Sequence, residues 1–119
     1  AVTGAGGQTG GHVFRKMLSR PEVFSPLGIV RTAASRQALL ASSKAAPEQV
    51  IVADVTAAVA TTELSAEFAG CVALVIATSA KVKPTGGTNP STGRPNFGFP
   101  DGQPYVVDWL GQKEQIDAA

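Results

Sequence analysis

Apolar residues along this chain fall into short blocks, separated by polar, proline-rich and glycine-rich connections. Blocks at residues 27–31, 49–53 and 71–77 have the length and β-branched content of strands, and Val2-Thr3 at the start reads as the end of another. Between them the period changes. Val13, Met17 and Leu18 share one helical face in a segment from Gln8 or Thr9 to about Arg20, stopped by Pro21. Leu39 and Leu40 centre a short helix over residues 35–43. A weaker one over 63–68 closes on Gly70 in the C-cap role. The unbroken apolar run Cys71 to Ala77 predicts a strand buried on both faces. Strands alternating with helices predict an α/β fold with a parallel sheet and right-handed crossovers.

Residues 81–104 break this alternation, with prolines at 84, 90, 95, 100 and 104 and glycines at 86, 87, 93, 98 and 102. A connection this long is unusual in a compact domain. It follows the C-terminal end of a strand, where open α/β sheets bind ligands, so it reads either as a lid or as an ordinary surface insertion. Residues 105–119 then predict an amphipathic helix with Val107, Leu110 and Ile116 inward and Trp109 packed under the lid.

The most informative stretch is Val2-Thr3-Gly4-Ala5-Gly6-Gly7-Gln8-Thr9-Gly10, a strand end running through a glycine turn into a helix. Gly4, Gly7 and Gly10 satisfy G-x-x-G-x-x-G, whereas the commoner G-x-G-x-x-G would need glycine at Thr9. Such a turn lets the backbone approach a ligand closely and aims free N–H groups of the helix at a phosphate. The strand–turn–helix context makes it the pyrophosphate cradle of a dinucleotide-binding unit.

Composition narrows the class. With 119 residues, 44% hydrophobic and 16% charged, the chain fits one globular domain, residues 1–119. A net charge of +1 argues against a general nucleic-acid binder, and no apolar run approaches a bilayer span. The single cysteine, Cys71, lies in the apolar run and is expected to be a buried, inert thiol in a reducing compartment. The opening strand is a stub and the last helix lacks a C-cap. The sequence therefore reads as a fragment cut at both ends, with any targeting signal upstream. Removal of a neighbour would leave the 72–77 strand at an open edge and the chain poorly soluble.

At the end of the second strand, where an acidic residue would meet a ribose 2′-hydroxyl, the chain carries Arg31, with Arg36 just beyond. A guanidinium there suits a 2′-phosphate and favours NADP over NAD, the alternative being a solvated strand-end cation. Asp54 ends the third strand and could accept from an adenine amino group or cap the following turn with Thr56. Thr78 and Ser79 end the fourth and offer hydroxyls to a ribose or the lid, or simple turn chemistry. His12 has no metal-ligand partners at suitable spacing and reads as a helix-surface histidine.

These residues, with Asp108-Trp109-Leu110-Gly111-Gln112-Lys113-Glu114-Gln115-Ile116-Asp117-Ala118-Ala119, give the chain a likeness across nearly its whole length. It resembles the atypical, NmrA-like short-chain dehydrogenase/reductase proteins of plants and algae. The resemblance implies an NADP-binding Rossmann-like sheet, strand order 3-2-1-4 and truncated before strand 5, flanked by helices. It implies Gly7, Gln8, Thr9 and Gly10 on the pyrophosphate and Arg31 on the 2′-phosphate. It also places Asp54 and Val55 at the adenine and Thr78 and Ser79 beside the nicotinamide ribose. The serine and Tyr-x-x-x-Lys pair of orthodox members do not occur here, since Tyr105 is followed four residues on by Trp109.

Two function classes stay open at this stage. One is an NADP-dependent oxidoreductase passing hydride to or from a small carbonyl or alcohol. The other is a regulatory protein that senses NADP(H) without turnover. Either is expected to be soluble and intracellular, in cytoplasm or chloroplast. Neither needs a nucleic-acid or membrane partner, and a homo-oligomer is left open for the longer protein.

Overall fold

The computed structural model describes residues 1–57 and 60–119. Among them a four-stranded sheet is built from β1 (Val2–Thr3), β2 (Gly28–Val30), β3 (Val50–Val52) and β4 (Val75–Ile76). All neighbours are parallel, in the order β3-β2-β1-β4. Four helices flank it: α1 (Gln8–Leu18), α2 (Ala33–Ser42), α3 (Ala60–Phe68) and α4 (Gly111–Ala118). The fold is the Rossmann-like α/β arrangement that the alternating pattern predicts.

The stub β1 is nonetheless central. Val2 and Ala5 donate their N–H groups to Leu27 and Ile29 at 2.8 and 3.1 Å, while Val75 and Ala77 donate to Ala1 and Thr3 at 2.9 and 3.2 Å. The ladder therefore runs past the two residues that count as strand on each side.

Alternation along the strands divides the core between two faces. Val2, Val30 and Val50 pack with Phe14 and Leu39 beneath α1 and α2. Ile29 and Ile51 point the other way, into a cluster with Leu64, Phe68 and Ala118 beneath α3 and α4. Gly28 is needed at its position, because a Cβ there would stand 3.0 Å from the Phe14 ring.

Three expectations are corrected. The run 71–77 is not a strand buried on both faces: only Val75–Ile76 pair, on one side, with Val72 fully exposed and the Cys71 thiol exposed as well. Hydrophobicity there exceeds the cover available. Helix α2 begins at Ala33 rather than Ser35, because Thr32 caps it by accepting from the Ser35 N–H at 3.1 Å. The third concerns the C-terminal segment. Residues Tyr105–Leu110 form a π-helical turn, with Gly111 N–H donating to Val106 five residues back, before α4 continues. That wider turn rotates the following residues relative to a 3.6-residue repeat. Val107, Gly111, Gln115 and Ala118 face inward, whereas Leu110, Ile116 and Trp109 are exposed, Trp109 to 63%.

Residues 81–104 contain an antiparallel hairpin, β5 (Lys83–Thr88) with β6 (Pro95–Gly98). A bulge between Pro84 and Thr88 carries Gly86 and Gly87 at φ +85° and +71°. The Asn89 side chain holds the turn by accepting from the N–H groups of Ser91 and Thr92 at 2.9 and 3.2 Å.

Candidate functional site

The C-terminal ends of the four parallel strands surround a cavity of about 380 Å³. One wall is the glycine turn. Gly4 takes φ +68°, and a Cβ on it would run into the carbonyl group of Ala77 beyond β4. Gly7 closes the turn by donating its N–H to Gly4 at 2.9 Å and caps α1 without any side chain. Gly10 sits directly on the turn, where a Cβ would collide with the Gly4 carbonyl. The first turn of α1 contains no acidic residue to offset its positive end. The N–H groups of Gln8, Thr9 and Gly10 lie in the first turn, which has no intrahelical acceptors.

The adjoining wall is formed by Val30, Arg31, Thr32 and Ser35, with Val30 and Ser35 packed close beside Gly6. Arg31 donates from Nη1 to the backbone carbonyl of Asp101 at 2.7 Å. A guanidinium has five N–H donors, so this contact with a neutral oxygen leaves its charge and most of its fork available. The Asp101 carboxylate is taken by Lys83, whose Nζ lies 2.5 Å from Oδ2. Arg31, Lys81 and Lys83 thus face two carboxylates, Asp54 and Asp101, around the cavity, which leaves it positive. The hydrogen bond from Lys83 holds the Asp101 carboxyl below its usual 3.8, with Arg31 and Lys81 adding to the effect.

Asp54, Val55 and Thr56 line the third side. Oδ1 of Asp54 accepts from Thr56 N–H at 2.9 Å and from its hydroxyl at 2.7 Å, a turn that leaves Oδ2 outside these bonds. Thr78 and Ser79 line the fourth, followed by Ala80, whose N–H donates to Asp108 Oδ1 at 2.8 Å. Behind Thr78 stands Gln115, fully buried, with Nε2 3.2 Å from the Thr78 hydroxyl.

Of the residues expected at the site from the sequence, Gly4, Gly7, Arg31, Asp54, Val55, Thr78 and Ser79 line this one cavity. Gln8, Thr9 and Gly10 lie just beyond the rim, on the first turn of α1. Arg36 is elsewhere engaged. Its guanidinium donates to the carbonyls of Val50 and Pro47, both at 2.7 Å, and ties α2 to the start of β3. Lining residues that the sequence reading missed are Thr32 and Ser35, which a Thr-x-x-Ser cap would have signalled, and Lys83 and Asp101, which no local pattern marks. The hairpin reaches the cavity through its base, Lys83 and Asp101, while β5 and β6 are exposed almost throughout. His12 is exposed, and among the described residues no cluster of His, Cys, Asp or Glu could hold a metal. No helix among them is long and apolar enough to cross a membrane.

No protein-family model matches the chain. It is 42% identical over 120 residues to an uncharacterized chloroplastic protein of Arabidopsis thaliana, At2g37660, covering 99% of this chain and 34% of that protein. It is 35% identical over 137 residues to sanguinarine reductase of Eschscholzia californica, covering 99% of this chain and 47% of the reductase. The chain thus spans about a third and about half of the length of these curated relatives.

Proposed function

We propose that the cavity binds NADP(H) and that the chain is the cofactor-binding part of an atypical, NmrA-like short-chain dehydrogenase/reductase. The observation that carries this reading is the pairing of a side-chain-free glycine turn with Arg31 in one cavity. A Cβ at Gly4 or Gly10 would strike the chain's own backbone, so the tight turn requires glycine, and the first turn of α1 behind it, free of acidic residues, suits a pyrophosphate. Arg31 stands where an acidic residue would select NAD, and its free donors match a 2′-phosphate.

In this reading the N–H groups of Gln8, Thr9 and Gly10 hold the pyrophosphate beside Gly7, whose own N–H closes the turn on Gly4. Oδ2 of Asp54 accepts from the adenine amino group beside Val55, and Thr78 and Ser79 lie against the nicotinamide ribose. Arg36 has no part, since both its contacts are structural. The bound cofactor would supply hydride for a small carbonyl or alcohol. The name of the poppy relative supports a reductase, and that of the Arabidopsis relative supports a chloroplast address.

The test is a calorimetric titration with NADPH and NADH, repeated on Arg31→Ala. NADPH should bind more tightly than NADH. The substitution should weaken NADPH by about ten- to a hundredfold, the range for a charge-assisted contact, and leave NADH nearly unchanged. Absence of binding by either nucleotide would remove the reading. Tight NADPH binding by the longer parent protein, without oxidation across a panel of carbonyl compounds, would instead favour a sensor.

A further inference from the structure

We infer that Gln115 is a positioning residue that aims the hydroxyl proton of Thr78 into the cavity, toward an acceptor oxygen of the bound nucleotide. The inference rests on the nucleotide reading above. Gln115 is 0% exposed, and its amide is held at two points. Nε2 donates to the Gly111 carbonyl at 2.6 Å and to Thr78 Oγ1 at 3.2 Å. The two contacts decide which way round the amide lies. Reversed, Oε1 would face the Gly111 carbonyl at the same 2.6 Å, two acceptors in mutual repulsion.

With the amide so fixed, both of its N–H donors are committed. The Thr78 oxygen must accept, so its own proton has to be directed elsewhere. Among the described hydrogen bonds the Thr78 hydroxyl donates to nothing, and Thr78 lines the cavity. The hydroxyl is therefore set as a donor to whatever oxygen enters there. Without Gln115 it could rotate and present a lone pair as readily as a proton. The arrangement also leaves Oε1 buried with no partner among the described residues, a state that opposes folding. A leucine of similar volume would fill the position without that orphan. The amide at 115 thus serves the site at the expense of the core.

The experiment measures NADPH binding by calorimetry, with thermal unfolding in parallel, for the wild-type chain, Gln115→Leu, Thr78→Val and the double variant. Each single variant should bind NADPH about five- to tenfold more weakly, as expected for one hydrogen bond. The double variant should be no weaker than Thr78→Val alone, because both changes remove the same bond. The thermal midpoint of Gln115→Leu should match or exceed that of wild type. A purely structural role predicts the reverse: a lowered midpoint, and losses that add in the double variant. Unchanged NADPH affinity in a folded Gln115→Leu overturns the inference while the nucleotide reading stands. If that variant does not fold, Gln115→Met replaces it, and unchanged affinity in Thr78→Val overturns the inference independently. Failure of the wild-type chain to bind NADPH or NADH removes the nucleotide reading, and the inference with it.

Discussion

Arg31 donates to the backbone carbonyl of Asp101, 70 residues further along the chain, at 2.7 Å. The contact joins the end of β2 to the return from the hairpin. It does so through a neutral oxygen, so the guanidinium acts on the Asp101 carboxylate only at a distance. Lys83, on the outgoing strand of the same hairpin, meets the Asp101 carboxylate instead. Arg31 is thereby anchored without forming an ion pair with Asp101.

This division predicts a pH signature. The folded-state pKa of Asp101 lies below its usual 3.8, chiefly through the hydrogen bond from Lys83. A depressed carboxyl contributes stability that is present above its unfolded value and lost as pH falls through the folded one. The hairpin base should thus hold its geometry at neutral pH and loosen only below pH 3.8. Following the Asp101 carboxyl carbon by NMR should give a midpoint under that value, rising toward it in Lys83→Met. A midpoint that does not move in the variant would show that Lys83 is not the cause.

A second expectation concerns the glycine turn. Alanine is ordinarily the better helix former, by up to about 1 kcal/mol over glycine. At position 10 its Cβ would enter the space of the Gly4 carbonyl. Gly10→Ala should therefore destabilise the fold, by about 1–3 kcal/mol in line with other overpacked sites. Denaturant unfolding reads this directly, and a more stable variant would show that α1 can move off the turn.

The glycine turn and Arg31 were legible in the sequence because both depend on local geometry. A positive φ, a close approach and a charge at a strand end are properties of the residues that carry them. What was not legible depends on partners far away in the chain. The apolar run at 71–77 reports what could be buried, whereas β4 has a neighbour on one side only. The proline and glycine content of residues 81–104 suggests loop, yet Lys83 pairs with Gly98 and Thr88 with Pro95. Prolines are tolerated in such exposed edge strands. The inward face of the C-terminal segment was missed because a π-helical turn shifted the repeat and brought Gln115 in place of Leu110 and Ile116.

Trp109, the one tryptophan, offers an optical check on that shift. At 63% exposure its fluorescence should peak near that of indole in water and be quenched readily by acrylamide. A blue-shifted, protected signal would mean that residues 105–110 wind as an ordinary α-helix with the indole packed. Its neighbours Val107 and Asp108 meet the cavity and the Ala80 amide, so nucleotide titration should perturb the same signal.

The outer edge of β4 supplies a last prediction. Val72 is fully exposed beside a strand that ends the sheet, a combination that favours edge-to-edge association. Val72→Lys should reduce self-association in sedimentation velocity without changing the unfolding midpoint. Equal association in both proteins would move attention to another surface.

The sides of the cavity differ in how they can change over time. At the glycine turn a side chain on Gly4 or Gly10 would strike backbone, so those two positions cannot gain a recognition group without breaking the turn. Heritable retuning of ligand choice falls to the sides that carry side chains, at Arg31, Ser35, Asp54, Thr78 and Lys83 among others. One side of this pocket is closed to evolutionary tinkering, and an engineer altering its preference would begin from the others.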